Sequence, residues 1–382
     1  MIMIQTEKTL FNPQNLTYAR IARGFTMKLL SEKSGISRQT ISSYESGKSV
    51  PRGKSLLKLS QILNFPITFF NAKMSHLGSE GTFFRSRTSS TKKARDKQKV
   101  RLIFSSNIYD LLSEYVNFPN VNIPSPIEED LDNITNEKIK KLALLTRKKW
   151  GLDNEEPINN LTKLIEANGI IISQANLREK KIDAVSKWVA DRPFILLTDN
   201  RESGVRRRFN IAHELGHILL HSNIESIYEL SNTDMNELEH QANVFASNLL
   251  LPDQAFIRSV VSTSMEGFIE LKKYWKVSIA ALIMKARKVE LLSENQYLYL
   301  NKKLSYNHWR RIEPLDDSIP IETPDLYNAV CKLIINNNVM SKQGLKAKMK
   351  LPNDELKALI SPEFASLDQE NKSKSLKLHI IE

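Results

Sequence analysis

A single cysteine, Cys331, occurs among the 382 residues, so the chain cannot form an internal disulfide and no covalent framework holds its fold. Long apolar runs are also missing. Runs such as 169–172 and 279–284 fall far short of the roughly 20 residues that a bilayer-spanning helix requires. The opening Met-Ile-Met-Ile-Gln-Thr-Glu lacks the basic region, apolar core and small-residue cleavage site of a secretory signal. These absences lead us to expect a cytoplasmic protein with no membrane partner. No internal repeat is visible. With 41% hydrophobic and 26% charged residues the composition is that of an ordinary globular protein, which excludes a mostly disordered chain. The length exceeds one typical core and suits two or three domains.

Charge is present in excess but unevenly. The net charge is +12, yet residues 1–110 hold 19 Lys and Arg against 6 Asp and Glu, while the remainder holds 36 against 37. All of the positive excess therefore lies at one end, as expected of a nucleic-acid-binding head joined to a nearly neutral body.

That basic end has a helical pattern. Residues 14–70 read as short helices, the first carrying Leu16, Ala19 and Ile21. Thr26 can cap a second helix that buries Leu29 and Leu30 and stops at Gly35, after which Ile36 packs in the turn. Ser37 can cap a third through Glu45, with Ile41 and Tyr44 facing inward and Gly47 as its stop. After Pro51, residues Leu56, Leu59, Ile62 and Leu63 form the apolar stripe of a fourth. Residues 71–101 are polar and basic without apolar periodicity, so they read as a linker leading into a helix from about Lys97 to Val116. The proline-bearing stretch 119–127 reads as a second linker.

From Thr135 the pattern becomes mixed. Ile139, Leu142, Ala143 and Thr146 suggest a helix ending near Trp150, and 158–168 suggests another. Strand-like β-branched runs follow at 169–173 and 192–199. After Pro252 the chain is again mostly helical, and the polar tail at 368–377 is expected to fray.

The chemistry sits at 213–217, His-Glu-Leu-Gly-His. Histidines four apart on a helix differ by about 40° in rotation, so His213 and His217 share a face and can ligate one ion. Glu214 beside them is placed as general base for a water that the ion activates. The flanking Ile211, Ala212, Leu215, Ile218 and Leu219 mark a buried helix, where histidines without a purpose are costly. A third ligand must come from elsewhere, and Glu239 is the candidate, early in a helix running to about Leu251. Asn243 lies four residues on, on the same face, where it can hydrogen-bond around the site. His221 suits packing or support of the ligands. His221, His240, Glu237 and Asp234 remain alternatives as third ligand.

The wording around the motif is more specific than the motif. Arg-Arg-Phe-Asn-Ile-Ala-His-Glu-Leu-Gly-His-Ile-Leu-Leu-His at 207–221 and Glu-His-Gln-Ala-Asn-Val-Phe-Ala-Ser-Asn-Leu-Leu-Leu-Pro at 239–252 resemble the ImmA/IrrE metallopeptidase family. Ile-Asp-Ala-Val-Ser at 182–186 and Arg-Pro-Phe-Ile-Leu-Leu at 192–197 resemble its strand pair. The resemblance covers roughly 137–300 and departs mildly at Asn210, where Thr or Ser is common. It implies a gluzincin-like domain with one Zn2+ held by His213, His217 and Glu239, and Glu214 as the catalytic residue. It also implies selective cleavage of repressor-like regulatory proteins.

Gly-Ile-Ser-Arg-Gln-Thr-Ile-Ser-Ser-Tyr-Glu-Ser-Gly-Lys-Ser-Val-Pro at 35–51 resembles the XRE-type helix-turn-helix family. That resemblance places the third helix in the major groove of an operator, with Arg38, Gln39, Thr40 and Ser43 exposed to it. Gln39 can read adenine, and Lys48 and Arg52 can meet phosphates. Met27 stands where such proteins often carry a backbone-touching glutamine. The stretch 273–286 resembles a segment that follows the peptidase core in the ImmA/IrrE family and has the form of a second helix-turn-helix, suited to packing or partner binding rather than to DNA. The Trp-Arg-Arg-Ile-Glu-Pro at 309–314 belongs to the same resemblance, with no role legible from the sequence.

The fold expected is multidomain and mainly α, with an α+β zincin-like core. Residues 1–71 form an all-α DNA-binding head and 72–134 a basic linker and connecting helix. The peptidase domain, with a small sheet, occupies 135–262, and 263–382 is a helical C-terminal region. The expected function is a DNA-binding transcriptional regulator whose zinc endopeptidase cleaves a helix-turn-helix repressor, antitoxin or toxin. The other reading is a regulator or toxin–antitoxin partner whose metal domain senses or stabilises. Half-site pairing on double-stranded DNA suggests a homodimer.

Overall fold

A computed structural model describes residues 11–74, 82–86, 91–175, 182–198, 203–224 and 230–366. The tail expected to fray at 368–377 lies outside these residues. Among them, no helix is long and apolar enough to cross a membrane.

The head comprises α1 (Pro13–Ala22), α2 (Met27–Ser34), α3 (Arg38–Glu45) and α4 (Gly53–Leu63), followed by a 3-10 turn at Ile67–Asn71. Its boundaries follow local chemistry. The Thr26 hydroxyl accepts the Leu29 N–H and the Ser37 hydroxyl accepts the Thr40 N–H, both at 3.1 Å, capping α2 and α3. Between them Gly35 takes φ 63°, the left-handed turn that ends α2. Leu16, Ala19, Leu30, Ile41, Leu59 and Leu63 are fully buried in its core, while Leu29 stays half-buried.

The linker expected at 71–101 is more structured than its composition suggests. Residues Thr82–Ser86 form a strand, β1, and helix α5 (Lys92–Ser113) begins five residues before the expected Lys97. Its basic first turns are capped by Thr91, whose hydroxyl accepts the Ala94 N–H. Apolar periodicity could not reveal these elements because their packing partners come from distant parts of the chain.

The central region follows as α6 (Asn136–Lys149), α7 (Leu161–Ala167), β2 (Ile171–Ala175), β3 (Ile182–Val189), β4 (Arg192–Thr198), α8 (Gly204–Leu220) and α9 (Asn232–Leu250). The sheet has the order β1-β3-β4-β2, with β2 parallel to β4 and the other pairs antiparallel. Strand β4 is buried at every position because both sheet faces are covered. Phe194 and Leu196 join one core with the head, α5 and the chain's last helices. Ile195 and Leu197, pointing the other way, join a second core with α6 to α9.

The helical stretch after Pro252 consists, among the described residues, of α10 (Asp253–Ser259), α11 (Met265–Trp275), α12 (Ile279–Lys288), α13 (Glu294–Tyr306), α14 (Leu326–Asn336), α15 (Lys342–Met349), α16 (Asn353–Leu359) and α17 (Pro362–Ala365). It divides between the two cores. Residues of α10 to α13 pack with the central helices, whereas those of α14 to α17 pack with the head and α5. Arg23 secures the second contact. It donates to the Leu63 and Asn64 carbonyls, lies 4.8 Å over the Phe65 ring and pairs with Asp354. Nearby, Arg101 on α5 pairs with Glu355 at 3.0 Å.

The connection between α13 and α14 gives the 309–314 stretch a physical role. Glu313 accepts the Ile279 and Ala280 N–H groups at 2.8 and 3.2 Å, capping α12, and pairs with buried Lys272 at 2.9 Å. The segment shaped like a second helix-turn-helix, α11–α12, is thereby packed into the body.

Farther along, the Asp325 and Leu326 N–H groups, at the start of α14, donate to Glu166 at 3.1 and 3.0 Å. Burial raises the Glu166 carboxyl from 4.5 to about 7, and the two backbone hydrogen bonds offset only part of that. The folded chain therefore holds this proton more tightly than the unfolded chain. The resulting stabilisation is complete below about pH 4.5 and is lost as pH rises through about 7, a change of about 3 kcal/mol. Glu166→Gln should accordingly gain stability relative to the parent between about pH 5 and pH 8 in chemical denaturation. Midpoints that stay parallel across that range would contradict this.

Candidate metal centre

Helix α8 is buried along nearly its whole length, between the sheet and α9. Gly216, inside the His-Glu-Leu-Gly-His run, makes the close approach to α9 possible. A Cβ there would lie 3.2 Å from the Ala242 Cα and carbonyl oxygen and 3.3 Å from the Phe245 Cβ. That proximity brings Glu239, one turn before Ala242 and Asn243, within reach of the two histidines.

The Nε2 atoms of His213 and His217 are 2.9 Å apart. The Glu239 carboxylate approaches both, at 3.5 Å from His213 Nε2 and 3.7 Å from His217 Nε2. One ligand atom from each of the three residues lies within 4.8 Å of the others, so the group is able to hold a metal ion. Both histidines are almost wholly buried, whereas the Glu239 side chain is 32% exposed. The centre is therefore closed on the α8 side and open beside the carboxylate.

The far nitrogen of each ring determines whether the near one can bind a cation. His213 Nδ1 is 2.9 Å from Asn243 Oδ1, an oxygen that only accepts, so Nδ1 carries the proton and Nε2 keeps its lone pair. His217 is reached through two neighbours, His221 and Gln241. Gln241 donates its amide nitrogen to the Leu131 and Ile134 carbonyls and to Glu237, so its oxygen faces His221 Nε2 at 2.9 Å. That oxygen can only accept, so His221 Nε2 bears the proton. Burial pushes His221 down to about 4, leaving it neutral near pH 7 with Nδ1 deprotonated. His217 Nδ1, 3.0 Å from that atom, must then donate, which leaves His217 Nε2 as a lone pair. Two imidazole nitrogens and one carboxylate oxygen converging on one point are a ligand set that fits Zn2+.

Glu214 is fully buried and accepts a hydrogen bond from the Ser186 hydroxyl at 2.7 Å. Strand β3 is also tied to α8 through Trp188, whose indole N–H donates to the Ile218 carbonyl at 3.1 Å. Nothing in the sequence singles out Ser186 or Gln241, although both lie inside stretches that carry the family resemblance. Only their distances to Glu214 and His221 reveal a role. The rival ligands have other places. Asp234 forms a capping box with Ser231, Glu237 accepts from Gln241, and His240 is exposed. His221 contacts His217 from behind, Nδ1 to Nδ1 at 3.0 Å.

The DNA-facing candidates lie in a separate region, on the head. Arg38, Gln39, Lys48 and Arg52 are exposed, whereas Thr40 and Ser43 are half-buried. The Thr40 hydroxyl lies 2.8 Å from that of Ser37, so it takes part in the helix cap. Arg20 fixes α3 from behind through a two-pronged pair with Glu45, at 2.6 and 2.8 Å.

Comparison with known proteins agrees with this division. Residues 165–287 match a family model described as the IrrE N-terminal-like domain, and residues 16–70 match one described as helix-turn-helix. Over 98 residues the chain is 31% identical to metallopeptidase ImmA of Bacillus subtilis (strain 168). The match covers 25% of this chain and 56% of that protein, so the chain spans about half the length of the curated relative it matches.

Proposed function

We propose that this chain is a cytoplasmic DNA-binding transcriptional regulator carrying a zinc-dependent endopeptidase that cleaves a regulatory protein. One observation above all carries the reading: three ligands, His213, His217 and Glu239, converge beside a buried glutamate. The basic helix-turn-helix head supplies the DNA half.

When bound, Zn2+ supplies Lewis-acid polarisation of a carbonyl and lowers the pKa of water to about 7. The chain's own residues do the rest. His213, His217 and Glu239 hold the ion, with Asn243 and the His221–Gln241 pair keeping both imidazoles in the ligating tautomer. Glu214 accepts the proton of the attacking water and returns it to the leaving amine. Ser186 orients that carboxylate by donating to one of its oxygens. The open side next to Glu239 is where a substrate chain enters. The partners proposed are an operator and a small helix-turn-helix repressor, antitoxin or toxin, with the regulator acting as a homodimer on paired half-sites.

The test is to purify the chain, measure its zinc and incubate it with the helix-turn-helix protein or toxin encoded next to it. About one zinc per chain and a single discrete cut are expected. Intact partner protein in the presence of a zinc-loaded chain would leave a regulator with a sensory or structural metal.

Two further outcomes follow from individual residues. Gln241→Leu removes the acceptor that sets the His221 proton, and should weaken zinc binding about 10–100-fold in chelator competition. An unaltered affinity would show that the hydrogen-bond chain does not tune the ligands. Arg38→Ala with Gln39→Ala removes two exposed side chains from the start of α3. It should weaken operator binding by about tenfold or more without changing zinc content. Retention of specific binding would move base reading to other residues.

A further inference from the structure

Strand β1 comes from the stretch between head and body, yet it completes the peptidase sheet. It runs antiparallel along β3, with Thr82 opposite Lys187, Phe83 opposite Ser186 and Phe84 opposite Val185. The other side of β3 is already paired with β4, so β1 covers the one edge that β3 has left. This edge borders the chemistry. Ser186 contacts Glu214, and Trp188 ties the strand to α8. A peptide cut beside Glu214 is best presented extended, and the outer edge of β3 is a row of backbone donors and acceptors at that place.

We propose that β1 is a built-in occupant of the substrate's strand position, so that the chain's own 82–86 segment competes with an incoming extended peptide. This rests on the peptidase reading above. Tethering places β1 at an effective concentration in roughly the millimolar range, enough to exclude weak and unselected peptides. A paired strand of five residues is also short enough to be displaced. The register shifts between Phe84 and Ser86, which limits continuous pairing to Thr82–Phe84, opposite Ser186 and its neighbours. The arrangement selects for substrates able to add a longer or better-matched strand to β3. It also connects the head to the centre, since β1 lies between the 3-10 turn that ends the head and α5.

The test uses the full zinc-loaded chain and a fluorescent peptide of residues 82–86 ending in a hydroxamate, which draws on both the metal and the strand edge for its affinity. Phe83→Pro with Phe84→Pro removes two successive backbone donors, of which alternation directs one towards β3. A second variant replaces 82–86 with Gly-Ser-Gly-Ser-Gly. Amide exchange at 184–187 reports directly whether β1 has left. The expected result is faster exchange and about tenfold tighter probe binding than in the parent, the gain that follows when an edge covered about nine-tenths of the time is freed. Faster exchange with unchanged, zinc-dependent probe affinity overturns the proposal while leaving the metal centre intact. Exchange that is unchanged in both variants also overturns it, because β1 then does not cover the edge. Probe binding that ignores zinc overturns the peptidase reading, and this proposal with it.

Discussion

Glu214→Gln should keep about one zinc per chain yet slow cleavage of the partner protein by about 10²–10⁴-fold. The two halves of this expectation have different origins. The candidate ligands His213, His217 and Glu239 are untouched, and so are Asn243 and His221, which lie 2.9 and 3.0 Å from the far nitrogens of the two imidazoles. Glutamine is nearly the same size and still accepts from Ser186 through its amide oxygen, so packing around this fully buried position persists. What is lost is a group able to take a proton. Metal analysis alongside a cleavage time course separates the two effects. Undiminished cleavage by the variant would remove Glu214 from the mechanism. Loss of zinc together with activity would mean that the residue helps to build the site.

Glu322→Ala should destabilise the chain by about 3–5 kcal/mol. Glu322 pairs with Arg208, which lies on α8 five residues before His213, and both side chains are buried. The same carboxylate accepts the Thr162 N–H at 2.9 Å and the Thr162 hydroxyl at 3.1 Å, at the start of α7. Arg208 also donates to the Ile158 carbonyl at 2.7 Å. Removing Glu322 leaves a buried guanidinium with carbonyl partners and, among the described residues, no counter-charge, which accounts for the size of the effect. Replacing both partners by apolar residues, Arg208→Met with Glu322→Leu, should cost much less, because no charge is then stranded. Denaturant unfolding of the two variants checks this. Equal losses for the single and double variants would show that the pair acts through packing alone.

The position of this pair shows where sequence reading ends. The helices of the head were legible because their signals are local. Caps at Thr26 and Ser37, a left-handed glycine at 35 and apolar residues three and four apart all lie within one or two turns. The spacing of His213 and His217 is legible for the same reason. The strand at 192–197 was legible as a β-branched run, whereas its partner at 182–186 was recognisable only through resemblance to a family. Glu322, 114 residues from Arg208, has no local signal at all. Nor has β1, whose partner strand lies about a hundred residues away along the chain. A basic, aperiodic stretch reads as linker until the edge that receives it is known.

By itself, then, the sequence picked out the helix-turn-helix head, the helix carrying His213 and His217, a candidate general base and a short set of rivals for the third ligand. These depend on side-chain type and on the fixed rotation per residue of a helix. The tertiary structure alone decided that Glu239 is the acid that meets the two histidines, because Gly216 lets α9 approach α8. It alone showed Gln241 meeting His221, and Ser186 meeting Glu214. It also divided the C-terminal helices between two cores and laid β1 along β3. Those outcomes depend on which surfaces find one another after the chain has folded. Distance along the chain carries no record of that.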